Sequence, residues 1–432
     1  MKRINTSPLS GMQELLPSSQ AVFDKLKANI ADVFHRHGFQ SIETPVIDRT
    51  EVLLSKAGGD TEKQIYRVVK TEEAVEESDQ ALRFDHTVPL ARYVVEHEND
   101  LAFPFHVTQI GRNYRGERAQ KGRFREFYQC DVDIVGRGSL PVAYDAKAIA
   151  AIYDALKTIK LPGMKVRISN RKVLAGFLEA LGLSSKTTEI SNVIDHAEKV
   201  PMDETRNALT ALGLDEKNVQ NVITFVGANG SPDEVEAKLK TALSDLTLVG
   251  EGLKELRIVY DLLATMGMRE SITIDLMIVR GLDYYTGTVY EIVLPEYRSI
   301  GSISGGGRYD NLASNFTDQK LPGVGGSIGL TRLFYALNAA GLLENVVTNP
   351  VDYCIVPISE KEYAYAMNLA DKISAEGKSV DVVLLDKKLG DKMAYAGKIA
   401  KYAVVIGEEE VATGEVKRKD LTTGIITPLK VK

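Results

Sequence analysis

Arg280-Gly281-Leu282-Asp283-Tyr284-Tyr285-Thr286-Gly287-Thr288-Val289-Tyr290-Glu291 brings a guanidinium, two adjacent phenols and two glycines together directly after Ser271-Ile272-Thr273-Ile274-Asp275-Leu276-Met277-Ile278-Val279. The earlier run alternates and then turns wholly apolar, which predicts a strand entering the middle of a sheet. An arginine at the end of such a strand meets the buried surface, where an unpaired guanidinium is costly unless an anion faces it. That anion is either a structural partner such as Asp283 or Glu291, or a ligand. Spacing alone favours the structural partner, and the rest of the chain reverses that in favour of a ligand.

A second cationic stretch, Arg112-Asn113-Tyr114-Arg115-Gly116-Glu117-Arg118-Ala119-Gln120-Lys121-Gly122-Arg123-Phe124-Arg125-Glu126-Phe127, interleaves arginines with glycines and aromatics between two strand-like runs. Such a loop can fold over a polyphosphate while its arginines present planar donor forks. Asp85-His86-Thr87 places a carboxylate and a hydroxyl at the end of one strand, and Gln129-Cys130-Asp131-Val132-Asp133 places an amide and two carboxylates on another. Alternation sends Gln129, Asp131 and Asp133 to one face, and the ammonium of an amino acid needs acceptors of this kind. Two glycine-rich stretches, Ser304-Gly305-Gly306-Gly307-Arg308-Tyr309-Asp310 and Gly323-Val324-Gly325-Gly326-Ser327-Ile328-Gly329, lack the P-loop and dinucleotide spacings. The second is expected to supply close backbone approach ahead of a helix bearing Arg332.

The whole composition fits a globular protein. With 432 residues, 44% of them hydrophobic, the chain suggests about three domains. A formal charge of -6 argues against a general nucleic-acid coat, although a local basic surface can still bind phosphate. Cys130 and Cys354 match no zinc or paired-thiol spacing, which fits a reducing compartment. The opening Met1 to Pro8 has no apolar segment behind its charges, and no run is long enough for a membrane span, so a cytoplasmic location is expected.

Residues 19 to 37 carry apolar side chains at helical spacing with Gly38 as a stop, and Phe39 to Ile47 reads as a strand held at an edge by Pro45. Glu72 to Asp79 is expected as a solvated hairpin tip. Strands flank the basic loop from Phe105 to Val135, a helix spans Ala143 to Ile159, and Lys165 to Ser169 is another strand. Between 185 and 266 the pattern becomes helical. Sheet character returns from Ile272 through Ile303, followed by a helix from near Gly329. After Asn345 to Pro350, strands and helices alternate as in a small α/β domain.

Together these stretches resemble the histidyl-tRNA synthetase family of class II aminoacyl-tRNA synthetases over essentially the full length. Gly11-Met12-Gln13-Glu14-Leu15-Leu16-Pro17 is similar to the family's opening. Gly38-Phe39 through Thr44-Pro45 resembles motif 1, the dimer-interface element. Tyr114-Arg115 through Glu126-Phe127 is similar to motif 2, and Gly325 through Arg332 to motif 3. Arg280 to Tyr285 and Gly305 to Asp310 are similar to the two histidine-specific signatures. The chain departs from the usual bacterial pattern at Asp85, where Glu is common, and at Gly116 and Thr331, where bulkier or acidic residues are frequent.

The resemblance implies an α+β catalytic domain, 1–335, built on a mostly antiparallel sheet and interrupted by a helical insertion domain at 185–266. A linker at 336–349 and an α/β anticodon-binding domain at 350–432 would follow. It implies ATP-dependent ligation of L-histidine to histidine tRNA through histidyl adenylate, with Mg2+ accompanying ATP, in a homodimer. Arg115 and Arg280 would be catalytic. Asp85, Thr87, Gln129, Asp133, Tyr284 and Tyr285 would bind histidine, and Arg115, Glu117, Arg123 and Arg332 would bind ATP. Arg118 and Gln120 would reach the tRNA acceptor end, and Lys387, Lys388, Lys392, Lys398 and Lys401 backbone phosphate near the anticodon. No metal-binding residues are assigned. Two non-catalytic relatives compete: a histidine-sensing regulatory subunit of ATP phosphoribosyltransferase, and a pseudo-synthetase that binds RNA. The first lacks an anticodon domain, and the second should have lost its catalytic arginines.

Overall fold

The computed structural model describes residues 4–55, 59–71, 78–120, 122–279, 284–343 and 351–430. The chain divides into two compact units, Met1–Gln13 with Leu26–Leu342, and Glu14–Lys25 with Leu343–Lys432. Among the described residues the first unit is built on a nine-stranded sheet. Its strands run in the spatial order Gln40–Ser41, Phe105–Tyr114, Glu126–Val135, Gly323–Ile328, Ser302–Tyr309, Thr288–Val293, Lys165–Asn170, Ile272–Asp275 and Asn229–Gly230. Gln40–Ser41 pairs in parallel with Phe105–Tyr114, and Lys165–Asn170 with Ile272–Asp275. The remaining pairs are antiparallel.

Both glycine-rich stretches are strands of this sheet. Their residues still follow the period of two that lays side chains on alternate faces. Gly306, Gly326 and Tyr290 lie on the core face, where a Cβ at Gly326 would collide with the Tyr290 hydroxyl and come 3.0 Å from Ile152. The helix Ala143–Lys157, alanine-rich and buried along Ala146, Ile149, Ile152 and Leu156, can therefore lie close on the sheet. Arg308 crosses to the same helix. Its Nη2 is 2.7 Å from Asp145 Oδ1, its Nε lies 3.1 and 3.2 Å from the two carboxylate oxygens, and its Nη1 donates to the Leu140 carbonyl at 3.0 Å. The side chains of the pair are 6% and 0% exposed.

Several expectations change in detail. Phe39 to Ile47 is not one strand. Gln40–Ser41 joins the large sheet at its edge, while Ile47–Arg49 joins a separate small sheet with Gln80–Leu82 and Arg67–Val68. Pro45 falls in the break, as a residue without a ladder donor should. Arg67–Val68 and Gln80–Leu82 pair antiparallel, but residues 72–77, the expected acidic tip, lie outside the described residues. The strand Ile272–Asp275 stops short and lies next to the sheet edge rather than in its middle. Leu276, Ile278 and Val279 are buried beyond it without continuing the ladder, so their apolar run reflected burial and not strand length. Residues 185–266 are helical apart from Asn229–Gly230, which extends the sheet by its pairing with Ile274 and Asp275. The helix Leu330–Ala339 buries Leu330, Leu333, Phe334 and Leu337, so the segment 336–349, expected as linker, begins as helix.

In the second unit the sheet order is Val380–Val382, Val351–Pro357, Ala400–Ile406, Val416–Asp420 and Ile426–Leu429; the first three strands are parallel and the last two form an antiparallel hairpin. Tyr353 and Ile355 pack with Ala366, Leu369 and Ile373 of the helix Tyr363–Ala375. The alternate residues Cys354 and Val356 pack with Ala396 of the helix Leu389–Ile399. Both faces are thus covered, which explains the near-continuous apolar strands. Among the described residues no helix is long and apolar enough to cross a membrane.

The buried ion pair gives a direct stability test. Arg308→Met leaves Asp145 without its cation, and the expected cost is about 3–5 kcal/mol, read from the urea unfolding midpoint. Joint replacement of Asp145 by leucine should recover most of it. A single-variant loss below about 1 kcal/mol would mean the pair is not what ties helix to sheet.

Candidate active site

On the sheet face opposite the helix Ala143–Lys157, side chains are almost absent from the two central strands. Gly305 and Gly307 lie on the face away from Arg308, with Gly325 opposite Gly307, Ser327 opposite Gly305 and Gly323 opposite Tyr309 across the ladder. The bare backbone is covered by side chains from elsewhere. Tyr285 lies over Gly307, where a Cβ would come 2.9 Å from its ring. The Tyr309 ring lies over Gly323, and the Asp133 carboxylate over Gly325. Asp133 in turn accepts a 2.7 Å hydrogen bond from the Tyr309 hydroxyl. Tyr284 meets Tyr285 edge-on at 5.1 Å and Tyr309 at 6.0 Å.

Above this floor opens a cavity of about 420 Å³. Arg115, Gln129, Tyr285, Glu291, Ser327 and Arg332 are among its lining residues. Side chains from the basic loop, the Glu126–Val135 strand, the 284–291 stretch and the helix Leu330–Ala339 therefore share one hollow. Arg115 is held between two rings, its guanidinium carbon 4.4 Å from the centroid of Phe84 and 5.0 Å from that of Phe127. Its Nε donates to the Phe84 carbonyl at 3.3 Å. Burial lowers its pKa, while Asp85 and Glu117 oppose that shift. Gln129 is fixed at both ends, donating to Ser327 Oγ at 2.6 Å and accepting from Asn113 at 2.7 Å.

Carboxylates crowd the floor. Burial pushes the Asp133 carboxyl up to about 8, and the nearby charge of Asp131 adds to it. Burial also raises Asp85, although the Val88 N–H it accepts at the start of the helix Thr87–Glu96 and the nearby Arg115 pull the other way. Tyr284 and Tyr285 are held well above the ordinary phenol range, chiefly by burial, with a hydrogen bond from Thr87 opposing it at Tyr284. A floor of this kind offers acceptors to a cation and a neutral acid to a heterocycle.

Of the other expected residues, Arg332 stays at the cavity and the rest are dispersed. Glu117 pairs with Arg123 at 3.3 Å across the loop. Arg118, Gln120 and Arg123 are exposed, and the backbones of Gln120 and Arg123 hydrogen-bond to each other in both directions. Arg332 is exposed and donates to the Ile300 carbonyl at 3.1 Å. Gly116 donates to the Gln64 carbonyl at 2.6 Å, and a Cβ there would come 3.0 Å from that oxygen, which accounts for a small residue. The Thr331 hydroxyl accepts from the Tyr128 amide at 2.8 Å. Arg280 and Asp283 lie outside the described residues. One expectation is corrected: Lys392 is 2% exposed and donates to the Pro357 carbonyl at 2.9 Å, so it cannot meet phosphate. Lys387, Lys388, Lys398 and Lys401 are exposed.

Sequence reading did not assign Ser327, Tyr309 or His86 to the site, set Asp131 beside Gln129 and Asp133 among the acceptors on one strand face without naming it a histidine ligand, and offered Glu291 only as a structural partner for Arg280. Tyr309 and Ser327 could have been found by counting alternate positions from Gly305 and Gly325. His86 carries no such signal, because it precedes a helix and its partner, Asp131, is distant in sequence. Among the described residues no group of three or more metal-ligating side chains is assembled.

A family model described as histidyl-tRNA synthetase matches residues 11–333, and one described as an anticodon binding domain matches 352–431. The histidine--tRNA ligase of Clostridium tetani is 43% identical over 424 residues, covering 98% of this chain and 95% of that protein. That of Finegoldia magna is 43% identical over 425 residues, with 98% and 96% covered. The crystal structure of histidyl-tRNA synthetase from Nostoc sp. PCC 7120 superposes with a TM-score of 0.88 at 36% identity, covering 99% of this chain and 97% of that one. A Bacillus halodurans structure titled an ATP phosphoribosyltransferase regulatory subunit/histidyl-tRNA synthetase shares the fold, with a TM-score of 0.75 at 23% identity over 91% of this chain and 97% of that one. With its glycine-floored cavity, its cationic rim and these relatives along nearly its whole length, the chain belongs to the histidyl-tRNA synthetase family.

Proposed function

We propose that this chain is a cytoplasmic, homodimeric enzyme that ligates L-histidine to histidine tRNA through histidyl adenylate. The observation that carries the reading is the cavity that Arg115, Arg332, Gln129 and Tyr285 line together above buried carboxylates and phenols. Cations at one end suit a triphosphate; acceptors and phenols at the other suit an ammonium and an imidazole. The histidine-sensing alternative is disfavoured by the match to an anticodon binding domain at 352–431.

In the first step the histidine carboxylate attacks the α-phosphorus of ATP and pyrophosphate leaves. In the second, the terminal ribose hydroxyl of tRNA attacks the acyl carbon, and AMP leaves. No protein nucleophile is needed. Negative charge gathers on the α-phosphoryl oxygens, so donors fixed in advance supply most of the acceleration. Arg115, clamped between two rings, meets that requirement, and Arg280 is assigned the second donor. Arg123 and Arg332 grip the outer phosphates, with Glu117 holding Arg123. Magnesium accompanying ATP would neutralise charge on the outer phosphates. Among the described residues that line the cavity, Glu291 would be the carboxylate to meet it, which would suit an ion that keeps phosphate and water ligands.

Asp85, Thr87 and Gln129 face the ammonium, and Asp133, Tyr284 and Tyr285 the ring. A buried polar subsite of this kind can discriminate by about 10⁴ to 10⁵ without editing. The helical segment 185–266 then serves as an arm on the acceptor stem. Arg118 and Gln120 reach the acceptor end, while the exposed lysines at 387, 388, 398 and 401 approach phosphate near the anticodon.

Histidine-dependent exchange of pyrophosphate into ATP, followed by charging of histidine tRNA, tests the reading as a whole. Arg280→Ala is expected to slow exchange by roughly a hundredfold to a thousandfold, the usual loss of one transition-state donor; a near-normal rate would remove Arg280 from the mechanism. Tyr285→Phe should raise KM for histidine more than KM for ATP, and the reverse order would reassign the phenol. Asp133 also makes a pH prediction. Its folded pKa of about 8 exceeds the ordinary 3.8, so the native state holds a proton the unfolded chain has lost, and stability falls as pH rises through that interval. Asp133→Asn keeps the acceptor for Tyr309 but cannot ionise. Its melting temperature should gain on the parent's progressively across that window, and a constant difference would show that Asp133 does not carry the effect.

A further inference from the structure

The acceptors at the amino-acid end of the cavity are largely committed to protein partners. Gln129 accepts from Asn113, Asp133 Oδ1 from Tyr309, and Asp85 Oδ1 from the Val88 amide. Asp131 differs from them. It is 4% exposed, and its Oδ1, shielded from solvent, has no hydrogen-bond partner among the described residues. Its Oδ2 lies 2.9 Å from Nδ1 of His86, which is itself 1% exposed. Gly111 makes room for this pair: a Cβ there would come 3.3 Å from His86 Nε2 and 2.5 Å from an Arg83 nitrogen.

Asp131 belongs to the site by position as well as by burial. It alternates onto the same strand face as Gln129 and Asp133, and it stands opposite Ser327, which lines the cavity. Its charge acts on Asp85, Asp133, Arg115 and Tyr285. A buried carboxylate oxygen without a donor costs about 1–3 kcal/mol or more. Such a cost is retained where a ligand brings the missing donor, and an α-ammonium carries three of them.

Resting on the amino-acid ligase reading above, we propose that Asp131 Oδ1 is an acceptor for the substrate's α-ammonium, and that His86 is a positioning residue that turns Oδ1 to it by holding Oδ2. The subsite then pairs a fixed negative charge with a cationic group that decarboxylated or alcohol analogues keep and deaminated ones lack.

Calorimetric titration of the full chain with two probes separates this role from a structural one. Histidinol keeps the ammonium and the imidazole, and imidazolepropionic acid keeps the imidazole without the ammonium. Asp131→Asn is expected to weaken histidinol about tenfold to a hundredfold, the range for one hydrogen bond to a charged group, while imidazolepropionic acid binds unchanged or more tightly. His86→Leu should move both ligands in the same directions. His86→Asn, which returns an N–H near the place of Nδ1, should restore part of the histidinol affinity. Should Asp131→Asn fail to fold, judged by its melting temperature, Asp131→Glu displaces the oxygen and is expected to give the same selective loss. Equal loss for both probes, no loss for either, or a His86→Asn as impaired as His86→Leu would overturn the proposal. A parent chain that ignores histidinol and exchanges pyrophosphate with a different amino acid would instead overturn the histidine reading on which it rests.

Discussion

Glycine at alternate positions of the two central strands is the constraint from which the rest of the catalytic unit follows. Every other L residue would place a Cβ where Tyr285, Tyr309 or the Asp133 carboxylate now lies, because these groups rest directly on the backbone of Gly307, Gly323 and Gly325. Interior glycines weaken a strand through chain entropy and lost packing. Here the lost packing is replaced by aromatic rings brought in from other segments, which bury large area and interlock edge to face. The same alternation serves the other face, where Gly306 and Gly326 admit the Tyr290 ring beneath the helix Ala143–Lys157. A sheet thinned on both faces can thus hold a polar site on one side and a close-packed helix on the other.

That arrangement forces charges into low-dielectric surroundings, and the two faces manage them differently. Behind the sheet, Arg308 and Asp145 neutralise each other and the spare donors of the guanidinium reach backbone carbonyls. The pair is satisfied within the fold, so the arginine of a signature otherwise associated with substrate is structural here. In front of the sheet, Asp85, Asp131 and Asp133 lie within reach of one another's charge. Repulsion and burial both act against ionising all of them, and the site as it stands favours the entry of a cation. An ammonium next to a heterocycle relieves that strain more fully than a neutral ligand can.

Much of this was legible in the sequence where a local pattern carries the physics. The helix Leu330–Ala339, the paired strands around the basic loop and the alternating strands of the second unit follow from periodicity. Gln129 and Asp133 were placed on one face by alternation alone. What was not legible depended on partners far along the chain. The glycine stretches read only as places of close backbone approach because glycine's lack of a side chain is a local property, whereas their role as a floor depends on which rings arrive above them. Lys392 read as one of several surface lysines on a helix, and only the carbonyls of Pro357 and Ile358 make it a buried residue. His86 gave no signal until the fold set it against Asp131.

On the proposed mechanism, the arginines assigned to ATP would need different degrees of freedom. A donor that acts only on charge developing at the α-phosphorus gains most from being fixed beforehand, because any reorganisation during the step subtracts from the rate. Arg115 has that character: two rings sandwich it and a backbone carbonyl holds its Nε. Groups that bind the outer phosphates interact with ground state and transition state nearly alike, and rigidity there would tighten ATP without speeding the chemistry. Arg123 and Arg332, proposed for those phosphates, are exposed, the first on a loop and the second on the first turn of a helix. On the proposed roles, the gradient from clamped to exposed arginine runs in the direction that a phosphoryl-activating site requires: rigid where bonds would change, adaptable where a polyphosphate would only be held.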